Sequence, residues 1–286
     1  MKVRSRDEAL LDFVAVGHVT VDHLASGARI GGAAAFASLS AAKLGFRAGV
    51  VSSLASDFPF WDALEGIELH YREGDRTTEF ENLYEGEARR QRILAEAAPI
   101  EEKHLDSIRS RLKDDASVLY CPVVREIRAP LVPLAGRGLS GVAPQGFFRL
   151  QRPDGIVEMC EWAEARDALA RADFVSMSEN DSVAPEELAE DFPGRAFAIT
   201  KGERGARVYS QGDIYDLPAF ETVEVEPTGA GDVFAAAFLL ALREKQSVLA
   251  AARFAACAGS FAVEAPGVSG LPTRRVLEAR LIGTST

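Results

Sequence analysis

Residues 226–234 read Glu-Pro-Thr-Gly-Ala-Gly-Asp-Val-Phe and run directly into the apolar stretch VFAAAFLLAL at 233–242. A helix start needs one capping residue. Two glycines, a threonine and a carboxylate are more than a cap. The first-turn amides of a helix are unsatisfied and partly positive, and glycine lets an anion come close to them. Gly229, Ala230 and Gly231 therefore read as an anion hole. Arg243 and Lys245 sit near the far end, where the helix dipole favours cations. Asp232 admits two uses. A carboxylate in the first turn complements the dipole. A proton acceptor beside an anion hole can also take a hydroxyl proton while the amides hold the charge of a transferring phosphoryl group.

Such a turn has to be held by a scaffold. FVAVGHVTV (13–21) predicts a buried strand, and RAGVVSSLA (47–55) another. Between them GGAAAFASLSAAKLG (31–45) predicts a helix that stops at Gly45. Residues 77–100 predict an exposed hairpin with polar faces and a Glu-Gly turn, in which Asn82 and Arg90 could touch a ligand. After residue 100, helical stretches alternate with apolar runs at 116–124, 138–144, 172–178 and 195–202, followed by ARVYS and DIYDLPA. That alternation predicts an α/β fold, a mostly parallel sheet covered by helices. One α/β body over 1–286 is expected, with a small β lid drawn from about 20–30 and 75–97.

Bulk properties exclude several classes. The chain has 286 residues, 47% hydrophobic and 26% charged, enough for a sizeable core. Its apolar run at 233–242 is too short to cross a bilayer, so no membrane partner is expected. The N-terminal MKVRSRDEALLDF is charged and does not read as a secretory signal. Cys121, Cys160 and Cys257 form no C-x-x-C pair, which argues against a disulfide framework or zinc ribbon and fits a cytoplasmic location. A net charge of −11 disfavours nucleic acid. His18 and His23 share no simple face, and His70 and His104 are isolated, so no histidine metal site is expected. Neither a P-loop nor a G-x-S-x-G elbow is present.

PTGAGDVFAAAF resembles the C-terminal signature of the PfkB, or ribokinase-like, carbohydrate kinases, D-T-x-G-A-G-D. The resemblance implies a ribokinase-like fold, an ATP- and Mg²⁺-dependent phosphorylation of a sugar or polyol hydroxyl, an anion hole at Gly229–Gly231, and Asp232 as base. Glu226 and Pro227 depart from its first two positions. GHVTVDHL is similar to the family's first strand and implies Asp22 in the substrate pocket, with Gly31 and Gly32 admitting the substrate close to backbone. Where the family commonly has Asn, this chain has Phe36, which reads either as helix core or as a ring for a cyclic polyol to pack on. The form GGAAAF with PTGAGD is similar to the myo-inositol kinase branch. AITKGERGARVY resembles the nucleotide segment, implying Thr200, Lys201, Gly202 and Gly205 along ATP, joined by Thr228. In SMSENDS, Asp181 or Glu179 stands for the family's magnesium-orienting Glu, and an N-cap at Ser178 explains these acids equally well.

Gln145 and Arg149 are placed at a strand end, where α/β ligands bind. Asp57 falls in a common family region, and the small residues of AACAG (255–259) would line the adenine site. Lid pairing in such kinases implies a possible homodimer. Two other readings stand beside this one: a nucleoside kinase on the same fold, and a non-catalytic sugar or nucleotide sensor.

Overall fold

The computed structural model describes residues 1–4, 9–85 and 88–283. Gly86 of the expected Glu-Gly turn lies outside them. A ten-stranded sheet runs in the spatial order β1 (Lys2–Arg4), β6 (Glu68–Gly74), β5 (Ala48–Ala55), β2 (Leu11–Val16), β10 (Leu112–Tyr120), β12 (Ser140–Val142), β15 (Phe174–Ser178), β16 (Ala196–Thr200), β17 (Ala206–Ser210), β18 (Asp213–Leu217). Pairing is parallel from β6 through β16 and antiparallel at both margins. Strand β2 is buried throughout. Its Phe13 and Ala15 join one core and its Val14 and Val16 the other, as expected for a parallel strand covered on both faces.

The first face carries α1 (Ala33–Lys43), α5 (Ala230–Arg243), α6 (Val248–Ala262) and α7 (Arg274–Gly283). Every α5 residue from Val233 to Leu242 is buried, which is why this helix is apolar all round. The Phe238 ring stacks on Phe174 of β15 at 4.4 Å between centroids. The opposite face carries shorter helices. Its α-helices are only α2 (Asp106–Arg109), α3 (Ala165–Leu169) and α4 (Pro185–Glu190) among the described residues, and loops cover the rest. Pro122, Pro130 and Pro133 explain one gap, because they forbid a continuous helix between β10 and β12.

A second sheet, in the order β4 (Gly27–Gly31), β3 (Thr20–Leu24), β7 (Thr78–Glu85), β8 (Ala88–Ala95), forms the lid. Both of its faces were expected to be polar, and one is not. Phe80 and Ile93 are register partners, both buried against Val123 and Val124 of the body. Two short pairs complete the chain. β9 (Ile100–Glu101) runs beside β11 (Ile127–Arg128), and β13 (Arg149–Gln151) forms a hairpin with β14 (Val157–Met159). The latter touches the lid, where the Ile93 amide donates to the Gly155 carbonyl at 2.9 Å.

The lid is rooted in a buried polar knot. His18 Nε2 lies 3.1 Å from the Ala98 carbonyl, which can only accept, so Nε2 carries the proton. Nδ1 then accepts from the Thr78 hydroxyl at 2.8 Å, and Thr78 Oγ1 accepts from the Ala97 amide at 2.9 Å. The His18 amide donates to Glu126 Oε1 at 2.9 Å. Thus His18 is a structural histidine that ties the segments before β3, after β8 and before β11 to Thr78 at the start of β7. Thr78→Val leaves two buried groups without partners. It is expected to cost about 1–3 kcal/mol for each, read from urea unfolding midpoints.

Candidate active site

One cavity of about 660 Å³ opens between the lid, the strand ends of the sheet and the start of α5. Asp22, Gly32, Phe36, Gln145, Asp181, Thr200, Gly202, Gly205, Thr228, Gly229, Ala230, Gly231 and Asp232 all line it. Residues distributed over two hundred positions of sequence thus meet at one place.

Gly229 is the N-cap of α5, with a left-handed φ of +86°, and no side chain caps the helix there. The Phe36 ring fills the space a Cβ on Gly229 would need, with its nearest atom at 2.4 Å. Phe36 is therefore largely buried beneath the turn and supports it from below. At Gly231, by contrast, an added Cβ meets nothing within 4 Å, so that side of the turn is open. Asp232 follows, half-buried, in the first turn. Burial raises the Cys121 thiol well above its ordinary range, and the nearby Asp232 carboxylate raises it further.

Asp22 on β3 is buried and accepts the Thr20 hydroxyl at 2.7 Å. A Cβ at Gly31 would stand 2.3 Å from its carboxyl carbon, so glycine is what lets the carboxylate lie across the neighbouring strand. Gly31 acts through Asp22 and does not itself line the cavity.

The two metal candidates part company. Glu179 pairs with Arg204 and is outside the cavity lining. Asp181 lines the cavity, accepting the Ser178 amide at 2.7 Å and Gln145 Nε2 at 2.9 Å. Burial lifts its pKa above the ordinary value, and those two hydrogen bonds only partly offset the rise. A carboxylate with a raised folded pKa costs stability once pH climbs through that value. Asp181→Asn is therefore expected to leave the melting temperature of the free protein equal or higher at neutral pH. Thermal melts of both proteins across pH measure the effect.

Lys201 is not among the lining residues; Asp216 of β18 is held below the ordinary carboxylate range chiefly by its hydrogen bond from Arg207, with the Lys201 charge adding to it. Asn82 is buried and accepts from Gln91 Nε2 at 3.0 Å, so Gln91 rather than Asn82 lines the cavity. Arg90 and Asp57 are exposed and outside the lining. From AACAG, Ala256 and Gly259 reach the wall, while Ala255, Cys257 and Ala258 are buried in the core. Sequence reading did not name Thr20, Ser176, Phe220 or Thr222, which also line it. They carry no local pattern, and only tertiary folding assigns them.

The charge of the wall is one-sided. Asp22, Asp181, Glu203, Glu221, Glu224 and Asp232 face it against Arg149 among the described residues. A polyphosphate entering such a site needs cations with it, while a neutral polyol does not. Glu226, just outside, is desolvated by burial, yet hydrogen bonds from Arg29 and Thr228 outweigh that and hold it below the ordinary carboxylate range.

Comparison with known proteins agrees with this architecture. Residues 161–274 match the model of the pfkB family carbohydrate kinases. The ribokinase of Bacillus subtilis is 41% identical over 91 residues, 32% of this chain and 31% of that protein. The cytidine kinase of Thermococcus kodakarensis is 27% identical over 261 residues, 80% of this chain and 88% of that one. Thus the more identical match spans less than a third of its relative's length. Among solved structures, a pyrophosphate-dependent kinase in the ribokinase family, complexed with a pyrophosphate analog and myo-inositol, superposes with a TM-score of 0.75. It is 23% identical, with 93% of this chain and 99% of that chain covered. The fold is ribokinase-like.

Proposed function

From a ribokinase-like fold whose residues 161–274 match the pfkB family carbohydrate kinases, we propose that this protein transfers a phosphoryl group from ATP to a hydroxyl of a sugar or cyclic polyol. The observation that carries the proposal is the convergence of Asp22, the open glycine turn and Asp232 on one cavity.

In this reading Asp22 accepts hydrogen bonds from acceptor hydroxyls and orients one toward the donor. Asp232 takes that hydroxyl's proton as the hydroxyl oxygen bonds to the terminal phosphorus, and the bond from that phosphorus to its bridging oxygen breaks to release ADP. The amides of Gly229–Gly231 stabilise the charge that grows on the transferring group. The lid excludes water that would otherwise compete as acceptor. Asp181, held by Gln145 and the Ser178 amide, fits a divalent cation that keeps most of its waters. Magnesium, when bound, neutralises the donor phosphates against the acidic wall. Thr200, Gly202, Gly205, Thr222, Ala256 and Gly259 form the donor end. The excess of carboxylates favours an uncharged acceptor over a phosphorylated one.

A nucleoside acceptor is the second reading, favoured by the long alignment with the Thermococcus cytidine kinase. Thermal-shift measurements with myo-inositol, ribose, fructose, adenosine and cytidine, each with an ATP analogue or with pyrophosphate, separate the readings. Stabilisation by polyols or sugars supports the first, and by nucleosides alone the second. Pyrophosphate outcompeting the ATP analogue would reject the ATP assignment.

A further inference from the structure

Glu226 replaces an aspartate in the glycine-turn signature, and its carboxylate does not line the cavity. Both of its oxygens instead accept from the two terminal nitrogens of Arg29, 197 residues away on lid strand β4. The pair is largely shielded, with side-chain exposures of 22% for Arg29 and 15% for Glu226. Arg29 is the register partner of Asp22 across the β3–β4 ladder, so the two share one face of the lid sheet. On the other side, the Val225 and Glu226 amides both donate to the Val263 carbonyl at the end of α6, at 2.8 and 3.1 Å. Glu226 therefore stands three residues before Gly229 in a segment fixed to the body by its backbone and to the lid by its side chain.

We propose that the Arg29–Glu226 pair is a latch that fixes the lid over the glycine turn, making both residues positioning residues for phosphoryl transfer. This inference rests on the kinase reading for its catalytic consequence but not for its mechanical one. The paired forks are two parallel charge-assisted hydrogen bonds, which set distance and angle together. A glutamate has the extra methylene needed to span outward to the lid. With both oxygens engaged, it is not a cation ligand. The acceptor carboxylate and the anion hole are thereby held at one separation, the condition for a hydroxyl to meet the donor in line.

The test compares Arg29→Ala, Glu226→Gln and the exchanged pair Arg29→Glu with Glu226→Arg, all in the full chain. Hydrogen exchange at residues 20–31 and 226–231 is read first, because it needs no substrate. Each single variant is expected to speed exchange in both segments by about tenfold or more, and the exchanged pair to recover part of the protection. In turnover, the single variants are expected to raise the acceptor KM, lower kcat, and raise ATP hydrolysis without acceptor. The magnesium concentration for half-maximal rate is expected to stay unchanged. Arg29→Lys, which keeps the charge but loses the fork, should fall between, and it replaces Arg29→Ala if that variant does not fold. Unchanged exchange in the single variants would overturn the latch, as would a shifted magnesium dependence in Glu226→Gln with exchange unchanged. If the wild type phosphorylates no acceptor while the exchange results hold, the kinase reading fails and the latch stands.

Discussion

Asp232→Asn is expected to reduce turnover by about 10²–10⁴-fold while leaving the melting temperature and the affinity for donor and acceptor close to wild type. The substitution keeps size and shape but removes the basic oxygen. Asp232 sits in the first turn of α5, and a carboxylate there also complements the helix dipole, so some loss of stability is expected, within about 1 kcal/mol. The two roles separate by magnitude. Loss of a favourable dipole contact moves stability slightly and chemistry little. Loss of the proton acceptor moves chemistry by orders of magnitude and stability little. Initial rates with saturating acceptor, beside calorimetric binding of the donor, distinguish them. Turnover within a factor of two or three of wild type would leave capping as the sole role.

Gly229→Ala is expected to be nearly as damaging, by a different route. The residue adopts φ +86°, where any Cβ is strained by about 1–2 kcal/mol. The added methyl would also stand 2.4 Å from the Phe36 ring, an overpacking that costs about 1–3 kcal/mol more. Relief of the clash tilts the turn, so the amides no longer point at the transferring group. Phe36→Leu in the same chain is expected to restore the packing part of the stability but not the backbone part. A double-mutant cycle on unfolding free energies reads the coupling between the two sites. Additive effects would mean that the ring does not support the turn.

The glycine turn was legible in sequence because its whole signal is local. The residues proposed as anion hole and base are neighbours, and ten buried apolar residues follow immediately in α5. Strands β2, β5, β15 and β16 were legible for the same reason, since each is a short segment rich in apolar residues and buried along nearly its whole length. Short elements escaped. The strands β13 and β14 are three residues each, too short for a period to emerge. The polar knot at His18 was read only as the absence of a metal site, because its partners Thr78, Ala98 and Glu126 are 60, 80 and 108 residues away. Phe36 could be placed in the right helix from sequence, but not beneath Gly229. Lys201 and Glu179 sat in the right segments, yet neither lines the cavity, and Glu179 pairs with Arg204 instead. Spacing along the chain reveals which residues could cooperate. Which of them face one another is decided by the packing of β-sheet, lid and α5.

The most direct measurement incubates the protein with magnesium and ATP labelled on its terminal phosphate, over a panel of neutral sugars, polyols and nucleosides, and follows the label by chromatography. The label is expected to move onto a hydroxyl of one class of acceptor in wild type, and to stay on ATP with Asp232→Asn. Equal transfer by both proteins, or label released only as free phosphate whatever acceptor is supplied, would contradict a cavity in which the glycine turn and Asp232 activate an acceptor hydroxyl.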